Sequence, residues 1–501
     1  LLATCENALM LNSYADYMIA SEETEPGIGW YYTDWLTKFG ANTSMPTTEI
    51  GKNIIDDFVN TCAKQCQGQK ATLSLTDLAE LSSTLPGPLT EFSRSISSLI
   101  SDNDYKVVSD ARNQTREFAS SSKIDQVDLV NLAENLGNDE GSELAQAVKG
   151  AVKYNRVSSG MTNAYGLSIY FPYKSSKYVD TVSNTYSQIG MDEEYTRCIQ
   201  EFASLQVCGQ AATGGSSSAY SVLSGSSYGF GSSYSSGSSY SSSGDALSSL
   251  LGAFLGGNYS MISGLSSENT SFLSGRSISD EQILAFIEDN CLDRDSLVWK
   301  KNSDGSYTMS LSEKERALIH EVDMNLYYDD GKGYINLGID DLYSVSDTGD
   351  LIADTGATWI SIDGQPVAYF HTDTVYNGGE YTITGRVPAV LNGQTRIDLI
   401  LVFDTASPYG YIAGACYVYE DDTTVSPKNL TELNEGDTLD FICDYYDYDG
   451  NYLDSYYLGE QLVYSDDITI SDTYIGDGNV LIMYRFTDIY DQQYWTDPIA
   501  E

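Results

Sequence analysis

Histidine is almost missing from this chain of 501 residues. His320 and His371 are the only two, so residues 1–319 contain none. A cysteine nucleophile needs a nearby imidazole that takes the thiol proton and later gives it to the leaving group. No Cys–His catalytic pair can therefore form within residues 1–319.

Basic residues and long apolar runs are also scarce. The chain has 26 Lys and Arg against 72 Asp and Glu, a formal net charge of −46. Such a chain repels phosphates, which excludes nucleic acid as a natural partner and disfavours anionic membrane surfaces. In residues 321–501 there are 34 acidic and 5 basic residues, a net charge of −29, which we interpret as a solvated acidic face. No run of about 18 apolar residues occurs, so the sequence predicts no membrane span.

Cysteines are too few for a fold built on disulfides, with 8 in the chain. Cys62 and Cys66 would share one face of a helix. Without a nearby His or a second cysteine pair, we predict that they are buried side chains and not metal ligands. Cys416 and Cys443 could pair across a β domain, which the sequence leaves open.

The most distinctive pattern lies in residues 1–36. ATCENALML (3–11) is typical of a helix and SYADYMIA (13–20) of a strand, and the loop SEETEPGIGW (21–30) follows. Residues 1–36 resemble the segment after the nucleophile in clostripain-family cysteine peptidases. The resemblance implies that the nucleophilic cysteine directly precedes Leu1 and that its histidine lies further upstream, so the chain itself holds no catalytic residue. We interpret Cys5, inside the predicted helix, as a small buried hydrophobic residue.

The resemblance continues to about residue 208. Four further segments carry it, predicted as a strand entering a helix, an amphipathic helix, a strand and a capped helix: ATLSLTDLAEL (71–81), IDQVDLVNLAENL (124–136), GLSIYFPY (166–173) and DEEYTRCIQEFASLQV (192–207). Together they imply an α/β fold, the second half of a caspase-like catalytic domain. We expect helices covering a mostly parallel sheet that includes residues 15–20 and 166–171.

The loop 21–30 is the candidate substrate-binding element. By resemblance to caspase-like peptidases, it lines the pocket for the residue before the scissile bond, and the candidates are Ser21, Glu22, Glu23, Ile28 and Trp30. The family's preference for basic residues requires a carboxylate that faces the substrate's cation. Glu22 or Glu23 could supply it, or each could instead cap backbone amides of the loop. Ile28 carries no charge.

The chain begins without an initiator Met and without the pattern of a signal peptide. We expect a reading frame truncated before Leu1, in preference to a processed polypeptide with a separate partner chain. The partner of residues 1–208 would then be the missing N-terminal half of the catalytic domain. We expect this edge of the domain to expose apolar surface that the missing half covers.

Composition changes after residue 208. Ser and Gly dominate residues 209–245, which predicts a flexible linker. Two short helical patterns follow, at 246–257 and at 279–292, the second with Ser279 as its N-cap. The sequence thus predicts four parts: the catalytic half (1–208), the linker (209–245), a short helical segment (246–292) and an acidic, Tyr-rich β region (293–501).

The β region is predicted from repeated hairpin signals. Asp-Gly pairs separate extended runs in SLVWKKNSDGSYTMSL, MNLYYDDGKGYINLG, TWISIDGQPVAYF and FICDYYDYDGNYLDSYYLG, and Asp-Gly favours two-residue hairpin turns. We expect an all-β, sandwich-like fold. The family resemblance allows calcium as a cofactor. The acidic residues of 441–459 fail the EF-hand frame, because Tyr445 and Tyr456 would stand at its first and twelfth ligand positions.

Three functions are compatible with these patterns. The first is a secreted or cell-surface bacterial cysteine endopeptidase of the clostripain type, acting on protein or peptide substrates and inactive without its front half. The second is a non-catalytic extracellular adhesion protein whose β module binds a ligand. The third is the downstream subunit of a processed two-chain peptidase. The residue that precedes Leu1 would discriminate between the first two, because the peptidase requires a cysteine there.

Overall fold

The computed structural model describes residues 2–66, 69–213, 270–275, 278–377, 379–418, 430–431, 433–449, 451–465, 467–476 and 479–500. The helix expected at 246–257 and residues 214–245 of the expected linker lie outside these ranges. The described residues form two compact units, one containing 2–213, 270–291 and 489–491, the other 292–488 and 492–500. Within the described residues, none of the helices has the length and apolar character needed to cross a membrane.

The first unit contains both helices and strands, as predicted. Its helices are α1 (Cys5–Leu11), α2 (Thr33–Ala41), α3 (Thr47–Gln65), α4 (Leu78–Thr84), α5 (Pro86–Ser101), α6 (Tyr105–Asn113), α7 (Leu129–Leu136), α8 (Asp139–Ala151), α9 (Val179–Ile189), α10 (Glu193–Thr213), α11 (Phe272–Gly275) and α12 (Asp280–Asp289). Its strands are β1 (Tyr17–Ala20), β2 (Thr72–Asp77), β3 (Glu117–Phe118), β4 (Gln126–Asp128), β5 (Val152–Val157) and β6 (Ser168–Tyr170).

The strands of the first unit form two small sheets, ordered β1-β2-β5 and β3-β4-β6. Every ladder in them is antiparallel, so the expectation of a mostly parallel sheet is wrong for the described residues. Two helices, α2 and α3, separate β1 from β2. An even number of traverses returns the chain to the end of the sheet that it left, which makes the neighbouring strands antiparallel. β1 and β6, expected in one sheet, belong to different ones.

Local sequence signals explain where the helices begin. Asp77 accepts a hydrogen bond from the Glu80 amide at the start of α4, and the expected strand-to-helix pattern at 71–81 is confirmed. The helix expected from residue 124 begins only at Leu129, because Gln126–Asp128 pairs with β6 and Asp128 caps α7. Ser279 caps α12 as predicted, with a reciprocal bond to Gln282. The helix predicted at 192–207 begins at Glu193 and continues to Thr213.

A hydrophobic cluster between α3 and the first sheet holds the segment that carries loop 21–30. The α3 side chains that face the sheet recur at helical spacing and pack on Leu73 and Leu75 of β2: Ile54, Ile55, Phe58, Val59 and Cys62. Trp30 and Trp35 pack against this cluster. Each large apolar side chain removed from water here contributes about 1.5–3 kcal/mol.

The second unit is strand-rich, as predicted. Its strands are β7 (Lys300–Lys301), β8 (Tyr307–Met309), β9 (Ile319–Asp329), β10 (Tyr334–Asp340), β11 (Tyr343–Val345), β12 (Leu351–Ala353), β13 (Thr358–Ile362), β14 (Gln365–Pro366), β15 (Tyr369–Asn377), β16 (Glu380–Leu391), β17 (Thr395–Asp404), β18 (Tyr411–Tyr417), β19 (Leu430–Thr431), β20 (Thr438–Tyr446), β21 (Tyr452–Val463), β22 (Ile470–Tyr474), β23 (Val480–Asp488), β24 (Gln493–Trp495) and β25 (Ile499–Ala500); the one-turn helix α13 (Glu313–Arg316) lies among them.

The largest sheet of the second unit has 12 strands and closes on itself. Its path runs β19-β18-β17-β16-β15-β10-β9-β23-β24, and β20 pairs with both β10 and β16. Because β15 joins β10 to β16, these contacts of β20 complete a ring of four strands. The strand-rich prediction is confirmed, and this sheet takes the form of a small barrel.

The predicted hairpins are confirmed. Strands β7 and β8, β9 and β10, β13 and β14, and β20 and β21 are antiparallel neighbours. Between β13 and β14, Asp363 and Gly364 have φ values of +49° and +76°. A type I′ turn needs positive φ at both central residues, which explains the Asp-Gly pair. Gly450, in the turn after β20, lies outside the described residues.

Candidate functional site

The base of loop 21–30 is held by one threonine of the neighbouring strand. The Oγ1 atom of Thr72 accepts hydrogen bonds from the amides of Glu22 at 3.0 Å and Glu23 at 3.1 Å. It also lies 2.9 Å from the Ser21 hydroxyl. The loop backbone is thereby fixed directly to β2, where it leaves β1.

Glu22 points inward, toward a second buried carboxyl group. Its Oε2 atom accepts a hydrogen bond from the Gly166 amide at 2.8 Å, and only 1% of the residue is exposed. Burial, followed by the nearby Asp128 carboxyl, raises the pKa of Glu22 well above its usual value. Burial also raises the pKa of Asp128, to about 6. Two buried carboxyl groups this close retain a proton between them more readily than either would in water.

Glu23 points inward as well and bonds to backbone of a different segment. Its Oε1 accepts from the Thr24 amide at 2.6 Å and from the Ala119 amide at 3.2 Å. Ala119 has a left-handed backbone with φ of +46°. The carboxylate therefore ties the loop to the segment after β3.

A buried arginine orders that segment. Arg112 of α6 donates to Glu117 Oε2 at 3.1 Å, to Asp125 Oδ1 at 3.1 Å and to the Phe171 carbonyl at 3.0 Å. Burial lowers the pKa of Arg112, but Glu117 and Asp125 outweigh burial and leave that pKa raised. Burial raises the pKa of Asp125, and Arg112 opposes that rise. This network fixes both ends of the stretch that contains Ala119.

The tip of the loop is a turn that faces solvent. The Gly29 amide donates to the Pro26 carbonyl at 3.2 Å, and Gly29 has a positive φ of +68°. Ile28, inside this turn, is 44% exposed. The Trp30 indole donates to Glu25 Oε2 at 2.9 Å, which anchors the end of the tip.

The five sequence candidates thus fall into two groups. The structure brings Ser21, Glu22 and Glu23 together as a buried stem, with both glutamates bonded to backbone amides. Ile28 is on the exposed tip, and Trp30 is half-buried against the α3 cluster. Their role in binding substrate stays a prediction.

Four residues that support the stem were missed by sequence reasoning: Thr72, Ala119, Asp128 and Gly166. They come from segments far apart in the chain. The one usable signal was Gly166, the glycine that begins the predicted strand segment 166–173.

Cys5 and Cys62 of the first unit are poorly suited to nucleophilic attack. Cys5 is fully buried at the start of α1, and burial, then Glu6, raises the pKa of its thiol. Burial, then Cys66, raises the pKa of Cys62 to about 12. A buried thiol with a raised pKa supplies little thiolate at neutral pH. In the second unit, Cys443 donates to the Tyr456 carbonyl at 3.6 Å, and Cys416 lies on β18, which does not neighbour β20.

Several large apolar side chains near the start of the chain are exposed. Eight large apolar side chains within residues 2–36 are exposed: Leu2, Met10, Leu11, Tyr14, Ile28, Tyr31, Tyr32 and Leu36. Exposed apolar side chains that lie together are typical of binding or docking surfaces.

Metal ligands are not assembled in the part of the chain that the structure describes. No three His, Cys, Asp or Glu side chains there are grouped so that they could hold a metal ion. Calcium, which the family resemblance allows and which can also bind backbone carbonyls and water, stays a prediction.

Comparison with known proteins gives one match. A family model described as the Clostripain family, a peptidase family, matches residues 1–211. No curated protein and no solved structure matches the chain.

Proposed function

Residues 1–211 belong to the clostripain family of peptidases, and from this we propose that they form the substrate-binding part of a secreted or cell-surface cysteine endopeptidase. The observation that carries the proposal is the construction of loop 21–30. A stem fixed by Thr72, Glu22 and Glu23 presents an exposed tip to solvent. A rigid stem limits the entropy lost when a tip closes on substrate.

We propose that the nucleophile and its imidazole are supplied by polypeptide outside residues 1–211. Residues 1–319 contain no histidine. Cys5 and Cys62 are buried, with raised thiol pKa values. The exposed apolar side chains within residues 2–36 suit contact with the missing N-terminal half of the catalytic domain. On this proposal, residues 1–501 alone do not hydrolyse peptides.

We propose cleavage after basic residues as the specificity of the complete enzyme. The family resemblance supports it, whereas the contacts of Glu22 and Glu23 limit how it can be achieved. Both carboxylates already accept hydrogen bonds from buried backbone amides, so a substrate cation would have to displace those bonds or meet another carboxylate. Glu25 lies closer to the tip, and Trp30 bonds to only one of its oxygens in the described contacts.

Sequencing the coding region before Leu1, followed by activity assays, tests the proposal. We expect a cysteine codon directly before Leu1 and a histidine further upstream. The extended protein should hydrolyse fluorogenic Arg or Lys amides, and replacing that cysteine by Ala should abolish hydrolysis. Labelling of the 1–501 chain at Cys5 by an arginyl or lysyl chloromethyl ketone would show that Cys5 is the nucleophile and overturn the proposal. Preferred cleavage after Leu or Phe would overturn the basic specificity alone.

Two alternatives remain distinguishable from this one. A residue other than cysteine before Leu1 would favour a non-catalytic adhesion protein, whose binding function would rest on the second unit. A cysteine encoded upstream but found on a separate mature chain would favour the downstream subunit of a two-chain peptidase. Mass spectrometry of the protein isolated from its source separates this two-chain peptidase from the single-chain enzyme.

A further inference from the structure

Two hairpins of the second unit bring tyrosine rings and carboxylates together at the surface. The residues come from the end of β9, the start of β10 and the hairpin β20–β21. We call them the tyrosine–aspartate patch, and its members are Asp329, Asp330, Tyr334, Tyr445, Tyr448, Asp454 and Tyr456. The strand register brings the two hairpins together, because Ile335 of β10 lies opposite Tyr445 of β20.

The first half of the patch is a tyrosine pair beside two carboxylates. The rings of Tyr445 and Tyr456 have centroids 5.3 Å apart at an interplanar angle of 37°. The Tyr445 hydroxyl donates to Asp330 Oδ1 at 3.1 Å. Asp454 stands opposite Tyr445 in the strand register and two residues before Tyr456, so it lies on the same face.

The second half repeats this arrangement. The rings of Tyr334 and Tyr448 meet edge to face, with centroids 5.3 Å apart and an interplanar angle of 83°. The Tyr448 hydroxyl donates to Asp329 Oδ1 at 2.7 Å. Neighbouring residues of one turn therefore each hold a tyrosine of the other hairpin, and the ring faces stay oriented.

The patch is open to solvent. Tyr448 is 44% exposed and Tyr456 is 36% exposed. None of the 12 residues of β21 is buried, and among the described strands β21 has only β20 as a ladder partner. The Gln365 side chain bonds to the outer edge of β21 at Leu458 and Glu460, which leaves the tyrosine end uncovered by that residue. A long exposed strand with aromatic side chains is typical of a surface that binds another molecule.

Charge decides which partner fits. Residues 437–464 contain seven acidic residues and seven tyrosines, and no Lys, Arg or His. Residues 321–340 contain one Lys, Arg or His, which is Lys332 in the turn between β9 and β10. A second copy of a chain with a net charge of −46 would be repelled by this surface. A cationic partner is attracted both by the carboxylates and by the negative faces of the tyrosine rings.

We infer that the tyrosine–aspartate patch binds Lys- and Arg-rich polypeptide segments. The ammonium or guanidinium groups would stack on the ring faces of Tyr448 and Tyr456, and the carboxylates of Asp329, Asp330 and Asp454 would balance their charge. The inference does not depend on the peptidase proposal. Should that proposal also hold, the patch would retain basic protein substrates near the enzyme.

The test is a titration of the full 501-residue chain with a synthetic peptide of alternating Lys, Arg and Gly. Isothermal titration calorimetry measures the binding. The double variant Tyr448→Ala/Tyr456→Ala should bind the peptide about tenfold more weakly, because two cation–π contacts are lost. The double variant with Phe at both positions keeps the rings and should bind within about threefold of the wild type. Tyr376→Ala/Tyr409→Ala, at side chains 75% and 82% exposed outside the patch, is the matched control and should bind like the wild type.

A second comparison separates the patch from general attraction to an acidic protein. At physiological salt, Asp454→Asn should weaken binding more than Asp304→Asn, which removes the same charge at an exposed turn outside the patch. Equal losses in these two variants, or in the two tyrosine-to-alanine pairs, would overturn the inference. Binding of neutral oligosaccharides without binding of the basic peptide would overturn it too, and would identify the patch as a glycan site. Unchanged thermal unfolding shows that each variant is folded.

Discussion

Acidic side chains have different structural roles in the two units. In the first, Glu22, Glu23 and Asp128 point inward and accept hydrogen bonds from backbone amides of distant segments. In the second, Asp304 and Asp437 sit in exposed turns and accept from residues close in sequence or across a turn. The same residue type therefore supports the interior of one unit and shapes the surface turns of the other.

The pKa values follow this difference. Burial raises the pKa values of Glu22, Asp125 and Asp128. Hydrogen bonds from Ser306 lower the pKa of Asp304, and a hydrogen bond from Asn392 lowers that of Asp437. The second unit has its own exceptions in Asp340 and Asp341, whose pKa values are raised by burial. Position, not composition, decides how a carboxyl group responds to pH.

Breaking the buried ion network of the first unit should have the largest effect. In Arg112→Met, Asp125 stays buried without its cation and Glu117 keeps only the half-exposed Lys174, so we expect the free energy of unfolding to fall by about 3–5 kcal/mol. Arg94, an exposed partner of Glu91, is the control, and Arg94→Met should cost less than about 1 kcal/mol. Urea unfolding, with hydrogen exchange of peptides from residues 2–213, measures both. Equal losses would mean that the network does not stabilise the first unit.

Filling the space beside the Glu22 carboxylate should come next. Gly166 has φ of +104°, and a Cβ atom there would lie 2.8 Å from the Ser74 Cβ. We expect Gly166→Ala to lower the free energy of unfolding by about 1–3 kcal/mol. The substitution strains the backbone and displaces the amide that donates a hydrogen bond to Glu22. Gly160, with open space around an added Cβ, is the control. A loss no larger than that of Gly160→Ala would remove the argument that close packing fixes the stem.

The buried carboxyl pair Glu22 and Asp128 should give a pH-dependent effect of intermediate size. Because the folded pKa values of Glu22 and Asp128 are raised, the folded state binds more protons than the unfolded state from about pH 4 up to the folded pKa values, which for Asp128 means about 6. The wild type should therefore lose stability as pH rises through that window. In Glu22→Gln the amide replaces the shared proton, so the variant should be more stable at pH 7 by on the order of 1 kcal/mol.

Unfolding curves of wild type and Glu22→Gln from pH 4 to pH 8 measure this effect. Their difference should shrink toward pH 4. A constant difference across the range would show that no proton is shared. The conservative variant Glu22→Asp keeps the charge with a shorter reach, and it should not reproduce the gain at neutral pH.

The smallest effect is expected in an exposed turn of the second unit. The pKa of Asp304 is lowered in the folded protein. Its contribution to the stability of the folded state is therefore present above the pKa of Asp in the unfolded chain, near 4, and is lost as pH falls through the folded pKa. Asp304→Ala should slightly speed hydrogen exchange in the β7–β8 turn at pH 7, and the difference should vanish in strong acid. An effect that persists unchanged in acid would assign the role to packing and not to charge.

The sequence alone predicted the structural features that depend on short segments of the chain. The Asp-Gly hairpins and the capped helix after Ser279 depend on residues within one turn of each other, and both are present. The antiparallel direction of the strands in the first unit was missed. It depends on the two helices α2 and α3, which bring the chain back to the end of the sheet that it left. The support of the loop was missed for a similar reason, since Glu22 and Gly166 are 144 residues apart and no local pattern joins them.

The division of loop 21–30 into stem and tip has a consequence for protein engineering. Thr72 holds the backbone amides of Glu22 and Glu23, so the path of the stem does not depend on which side chains occupy the tip. The turn Pro26–Gly29 closes on itself through its own backbone bond. A library that varies only residues 27 and 28 could therefore be displayed on a constant framework, much as antibody scaffolds carry variable loops. Evolution would have had the same freedom to change the tip while the framework stayed as it is.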